Sequence, residues 1–77
     1  FYGFPPRKGR ERRELVAEVV ALRHAAVLYE APSRTGETLR ELADAGAGDR
    51  AAVVARELTK QFEDVRRGTL AELAAYY

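Results

Sequence analysis

Ala25-Ala26-Val27-Leu28-Tyr29-Glu30, closed by Ala31-Pro32, is the stretch on which the fold turns. It is a short, mostly apolar run with a breaker behind it, so its length suits a buried strand better than a helix. On its N-terminal side, from Arg10 to about Arg23, the apolar residues Leu15, Val16, Val19, Val20 and Leu22 recur at helical spacing. Arg12, Arg13, Glu14 and Glu18 supply much of the polar complement, which predicts an amphipathic helix. Further upstream, Phe1 to Phe4 suits the end of another buried strand, and Pro5-Pro6 stops it from continuing as a central ladder.

On the C-terminal side, Ser33 directly follows Pro32 and is a candidate N-cap for a second helix through Leu39, Leu42 and Ala43, stopped at Gly46 and Gly48. Ala51 to Ala55 predicts a third strand. Phe62 to Arg67 predicts a fourth, with Gly68 as punctuation. Thr69-Leu70-Ala71-Glu72 has the spacing of a capping box, so a last short helix carrying Leu70, Leu73 and Ala74 is expected. The order strand, helix, strand, helix, strand, strand, helix implies an α/β unit: a small mixed, partly parallel sheet with flanking helices, the direction of the added strand left open. The short helices cannot cover both faces of such a sheet, so some apolar surface is expected to stay bare.

Composition limits the function classes. With 77 residues, 47% of them apolar and 32% charged, the chain forms one domain at most and lacks the profile of a disordered tail. There are no cysteines and one histidine, which excludes a disulfide framework and argues against a thiolate or histidine metal site. The lack of cysteine is compatible with a reducing cytoplasm. No run of 18 apolar residues exists, so no membrane association is expected. The formal net charge of +1 creates no overall basic field, yet Arg7, Lys8, Arg10, Arg12 and Arg13 crowd together with Glu11 as the lone acid among them. A chain that opens on Phe1-Tyr2 and contains no methionine is expected to be part of a longer polypeptide.

Few residues invite chemistry. Glu63 and Asp64 read as surface charges, and Glu57, after a strand, as a structural residue. Ser33, Thr35, Thr59 and Thr69 suit caps and turns, since no serine–histidine–carboxylate order surrounds them. His24 sits at a helix boundary, where histidine is mostly structural or solvent-facing. No catalytic residue is assigned. Gly46 and Gly48 follow a helix instead of opening one after a strand, so neither GxGxxG nor a P-loop is present. Arg7-Lys8-Gly9-Arg10 combines flexible cations, a glycine and a helix start, the ingredients of a phosphate contact; a solvated charge run is the alternative. If the strands are parallel, the loops at their carboxyl ends share one edge, where open α/β proteins place ligands. Arg7, Lys8, Arg34, Arg56 and Lys60 would then line one rim.

Gly3-Phe4-Pro5-Pro6-Arg7-Lys8-Gly9-Arg10, Tyr29-Glu30-Ala31-Pro32-Ser33-Arg34 and Ala55-Arg56-Glu57-Leu58-Thr59-Lys60, followed by Arg67-Gly68-Thr69-Leu70, come in an order and spacing that span nearly the whole chain. Together they resemble the ribosomal RNA small subunit methyltransferase I family of the tetrapyrrole methylase superfamily. One departure is Ser33, where the family usually has histidine. The resemblance implies a cytoplasmic, S-adenosylmethionine-dependent enzyme that 2′-O-methylates a cytidine of small-subunit ribosomal RNA. This chain would be the second, C-terminal lobe of its methyltransferase domain, without the first lobe and inactive alone. It also implies cofactor contacts at Phe4, Glu57 and Leu58, and an RNA-facing rim of Arg7, Lys8, Arg10, Arg34, Arg56 and Lys60. Alternatives are a non-catalytic RNA-binding module, a dimerising α/β module, and a porphyrin or corrin methylase fragment, since fold alone does not choose the substrate. The bare sheet face is expected to support a homodimer.

Overall fold

The helical periodicity upstream of Ala25 forms α1 (Gly9–Ala21), whose inner stripe buries Arg12, Val16 and Val19. The computed structural model describes residues 1–56 and 64–77. Gly9 opens α1 at φ +82°, a conformation that favours glycine, and Arg50 closes its far end by donating to the carbonyls of Val19 and His24 at 2.8 and 2.6 Å.

After Pro32 the chain takes one 3-10 turn, Pro32–Arg34, before α2 (Thr35–Leu42) begins. Ser33 is therefore inside the turn and caps nothing. The Thr35 hydroxyl donates to the Ala31 carbonyl at 3.1 Å instead, because the extra turn carries the cap position past Ser33. A wider turn, Ala43–Ala47, ends the helical path, and Gly46 at φ +110° breaks it as the sequence suggests.

β1 (Ala51–Arg56) and β2 (Asp64–Thr69) pair antiparallel, Ala51 opposite Thr69 and Arg56 opposite Asp64. Gly68 therefore belongs to the strand instead of ending it. α3 (Leu70–Tyr76) follows with both halves of the capping box made: Thr69 N–H donates to the Glu72 carboxylate at 2.8 Å and Glu72 N–H to the Thr69 hydroxyl at 3.1 Å. Two more N–H groups of its first turn, those of Leu70 and Ala71, donate to the Arg50 and Gly48 carbonyls, so the donors that a helix start leaves open are met by the preceding loop.

The core is small: Val16, Val19, Leu39, Leu42, Ala47, Leu70, Leu73 and Ala74, where the three helices meet. α2 and α3 pack closely at Gly36, where an added Cβ would lie 2.8 Å from the Tyr77 main chain.

The two N-terminal strands of the sequence reading contract to a single parallel bridge, Gly3 with Leu28, held by Tyr2 N–H to Val27 O and Tyr29 N–H to Gly3 O. Among the described residues this bridge does not join the β1–β2 sheet. The segment 25–30 is also half exposed, contrary to the expected buried strand: Ala26 and Leu28 pack on the core, while Val27 and Tyr29 are 50% and 51% exposed. The unit is thus a mixed α/β arrangement with one parallel and one antiparallel pairing. Val27, Tyr29 and Val53 remain exposed.

Candidate functional site

The basic loop is held from beneath by a charged network that starts on the inner stripe of α1. The Arg12 guanidinium donates to Glu41 at 2.8 Å, to the Pro6 carbonyl at 2.9 Å and to the Thr38 hydroxyl at 3.0 Å. Thr38 passes its own hydrogen to Glu30 at 2.6 Å. The other Glu30 oxygen accepts from Ala31 N–H at 3.1 Å and lies 3.9 Å from Arg34 Nε. Arg34 then reaches the Arg7 carbonyl at 3.0 Å. Arginines from two different elements thereby fix consecutive carbonyls, those of Pro6 and Arg7, and leave the Arg7 and Lys8 side chains exposed.

Arg12 looks like one more surface cation in the sequence, yet it is buried. The missed signal is its spacing: Arg12, Val16 and Val19 stand at i, i+4 and i+7, which places Arg12 on the apolar stripe. A buried arginine needs a full set of acceptors, and Pro6, Thr38 and Glu41 provide them.

Above the loop lies an aromatic cluster. Tyr29 contacts Phe1 edge-on, with centroids 5.1 Å apart and planes at 80°, and Phe4 at 5.6 Å and 59°. Gly3 between the two phenylalanines has φ +68°, which bends the chain so that both rings reach Tyr29. Tyr2 faces the opposite way. The nearby Glu18 carboxylate of α1, which favours the protonated phenol, together with some desolvation, holds Tyr2 above its ordinary pKa.

The expected rim residues are only partly brought together. Arg7 and Lys8 are exposed, and Arg34 sits beside them through its bond to the Arg7 carbonyl. Arg10 is exposed but paired with Glu14 at 3.0 Å along the helix. Arg34 is only 23% exposed in its side chain and faces Glu30, so its charge is largely turned inward. Arg56 stacks 5.8 Å over the Tyr77 ring, and the Tyr77 main chain abuts Gly36, which puts Arg56 at the α2 entry that follows Arg34. Phe4 is 69% exposed in the aromatic cluster. Glu57, Leu58 and Lys60 lie outside the described residues, as do Thr59 and Glu63.

Between segment 25–30 and β1 runs an open groove of about 1010 Å³, floored by Leu39, Leu42 and Leu70 and reached by Glu30 at one wall and Arg56 at the other. Among the described residues no group of three or more histidine, cysteine, aspartate or glutamate side chains could hold a metal ion. No described helix is long and apolar enough to cross a membrane.

Comparison with known proteins assigns the family. The family model of tetrapyrrole (corrin/porphyrin) methylases matches residues 1–74. Proteins named ribosomal RNA small subunit methyltransferase I are similar throughout: that of Mycobacterium tuberculosis (strain CDC 1551 / Oshkosh) is 43% identical over 76 residues, covering 99% of this chain and 27% of the relative. That of Vibrio cholerae is 38% identical over 76 residues (99% of this chain, 26% of the relative). That of Bacillus subtilis is also 38% identical over 76 residues, with the same coverage. The chain thus spans about a quarter of the length of these relatives. With the match running through every described element, the chain belongs to the tetrapyrrole (corrin/porphyrin) methylase family.

Proposed function

We propose that this chain is the C-terminal lobe of a methyltransferase domain that transfers a methyl group from S-adenosylmethionine to the 2′-hydroxyl of a cytidine in small-subunit ribosomal RNA. The observation that carries the proposal is the fixed loop: Pro6 and Arg7 are pinned through their carbonyls, so Arg7 and Lys8 project from a rigid base toward a polyanion. The names of the similar proteins support RNA over a tetrapyrrole as the substrate.

S-adenosylmethionine supplies an electrophilic methyl group carried on a sulfonium. The described part of the site fits such a molecule at Phe4, whose exposed ring offers an apolar and π-rich face to an adenine or a sulfonium. In this proposal Glu57 and Leu58 complete the contact, and Arg7, Lys8, Arg10, Arg34, Arg56 and Lys60 face the RNA backbone. Arg7 and Lys8 act as charges that set register, Arg34 chiefly as the strut that holds Arg7 in place. The contribution of this lobe is positioning, which for a bimolecular transfer is worth several orders of magnitude in rate.

A chimaera tests this directly. The matching segment of the Mycobacterium tuberculosis relative is replaced by this chain, and methyl incorporation into small-subunit ribosomal RNA is measured with S-adenosylmethionine as donor. Incorporation recovered as 2′-O-methylcytidine after nuclease digestion is the expected result. A folded chimaera that labels no RNA, or labels a base, would falsify the proposal. Self-association through the bare Val27 and Val53 face belongs to the same proposal, and sedimentation that shows only a monomer at high concentration removes that part alone.

A further inference from the structure

We infer that Phe1, Phe4 and Tyr29 form a stacking corner for one unpaired base of RNA, beside the cations that take its flanking phosphates. Tyr29 contacts both Phe1 and Phe4, and the rings of Phe1, Phe4 and Tyr29 are 78%, 69% and 51% exposed. Their planes meet at 80° and 59°, which makes a shallow corner and not a flat floor. A corner accepts a single flat ring with an edge contact on its side; a stacked run of bases would need parallel platforms.

Charge selects the occupant. Residues 1–10 contain Arg7, Lys8 and Arg10 and no carboxylate. The nearest acid in sequence to Tyr29 is Glu30, which already faces Thr38, Ala31 N–H and Arg34. Exposed π-faces beside exposed cations, with the neighbouring carboxylate turned inward, match a base followed by its phosphates better than an acidic or apolar protein segment. The corner is also stiff: Tyr29 N–H is bonded to the Gly3 carbonyl at 2.9 Å and the loop behind Phe4 is pinned at Pro6 and Arg7. Phe4 is the residue shared with the proposed cofactor contact, so a base held on Tyr29 lies next to the methyl donor. Holding the target nucleotide out of its stack in this way is how enzymes reach atoms in structured nucleic acid.

The inference rests on the RNA reading above, and the experiment separates the two. Fluorescence anisotropy is measured with a short labelled single-stranded RNA and with an abasic RNA of equal length, each across a salt series. The intact oligomer is expected to bind about tenfold tighter than the abasic one, with equal salt slopes, since a stacked base adds affinity without adding phosphate contacts. Tyr29→Leu and, independently, Phe1→Leu should lower the affinity for intact RNA toward the abasic value and leave the abasic affinity and both slopes alone. Phe1 is the most exposed of the three rings, so this second variant keeps the test valid should Tyr29→Leu disturb the fold. Equal binding of the two oligomers, or variants that bind as the parent does, overturns the stacking corner and leaves the basic loop standing. Failure to bind either oligomer at low salt overturns both.

Discussion

Arg12→Met is the substitution that most directly probes how this fold is built. Methionine fills the stem volume of arginine but cannot donate, and three acceptors then lose their partner: Pro6 O, Glu41 Oε1 and Thr38 Oγ1. Hydrogen bonds from a charged donor are worth about 1.5–3 kcal/mol apiece, and breaking a buried pair from one side costs about 3–5 kcal/mol. Two features reduce the sum. Glu41 is 34% exposed in its side chain and can rehydrate, and Thr38 keeps its bond to Glu30. A net loss of about 3 kcal/mol follows. Against a total stability of roughly 4–12 kcal/mol for a chain of this length, that loss removes a quarter or more of the folding free energy. It corresponds to a fall in Tm of roughly 12–24 °C. Urea unfolding followed by far-UV circular dichroism measures it. Glu41→Gln, which keeps an acceptor but not the charge, should cost about 1 kcal/mol. An Arg12→Met protein within about 0.5 kcal/mol of the parent would refute the view that this network anchors the loop, because surface substitutions stay within that range.

Other expectations concern the helices. The Glu72 carboxylate accepts the Thr69 backbone N–H, the main cause, and with the Thr69 hydroxyl close by it is held below the ordinary glutamate pKa. A depressed folded value means its stabilisation is complete above about pH 4.3 and disappears as the pH falls through the lower folded value; Glu72→Gln should flatten that acid limb in a circular dichroism titration, and an unchanged limb counts against the box. Thr69→Ala should cost about 1 kcal/mol in the same unfolding assay, the usual worth of an N-cap. Gly36→Ala gains about 1 kcal/mol of helix propensity but drives a Cβ to 2.8 Å from the Tyr77 main chain. Overpacking of that kind costs about 1–3 kcal/mol, so the variant should be neutral to less stable, and a clear rise in Tm would show that the α2–α3 contact yields freely. Leu73→Ala, at the most buried core position, should lose about 2–4 kcal/mol by calorimetry or denaturant titration.

Several elements could be read from the chain because their causes are local. The capping box at Thr69 to Glu72 needs only residues three apart, and it forms as spaced. The apolar stripe of α1 and the glycine stop at Gly46 likewise depend on neighbours within a turn or two. Ser33 shows the limit of that approach: proline favours the start of a helical turn, and whether the turn is 3-10 or α is decided by the two ends it must join. The segment 25–30 shows another, since an apolar run reports what could be buried and not which neighbours arrive to bury it.

The candidate site divides along the same line. The sequence by itself determined the family phrases, the basic loop, the helix positions and the presence of Phe1, Tyr2 and Phe4 around Gly3. Only the tertiary structure decided that Arg12 turns inward, that it meets Thr38 and Glu41 across 26 and 29 residues of chain, and that Tyr29 joins Phe1 and Phe4 at the surface. The reason is physical: periodicity dictates which face of an element a side chain occupies, whereas its partners depend on where the chain returns in space, which pairwise spacing along the sequence does not encode.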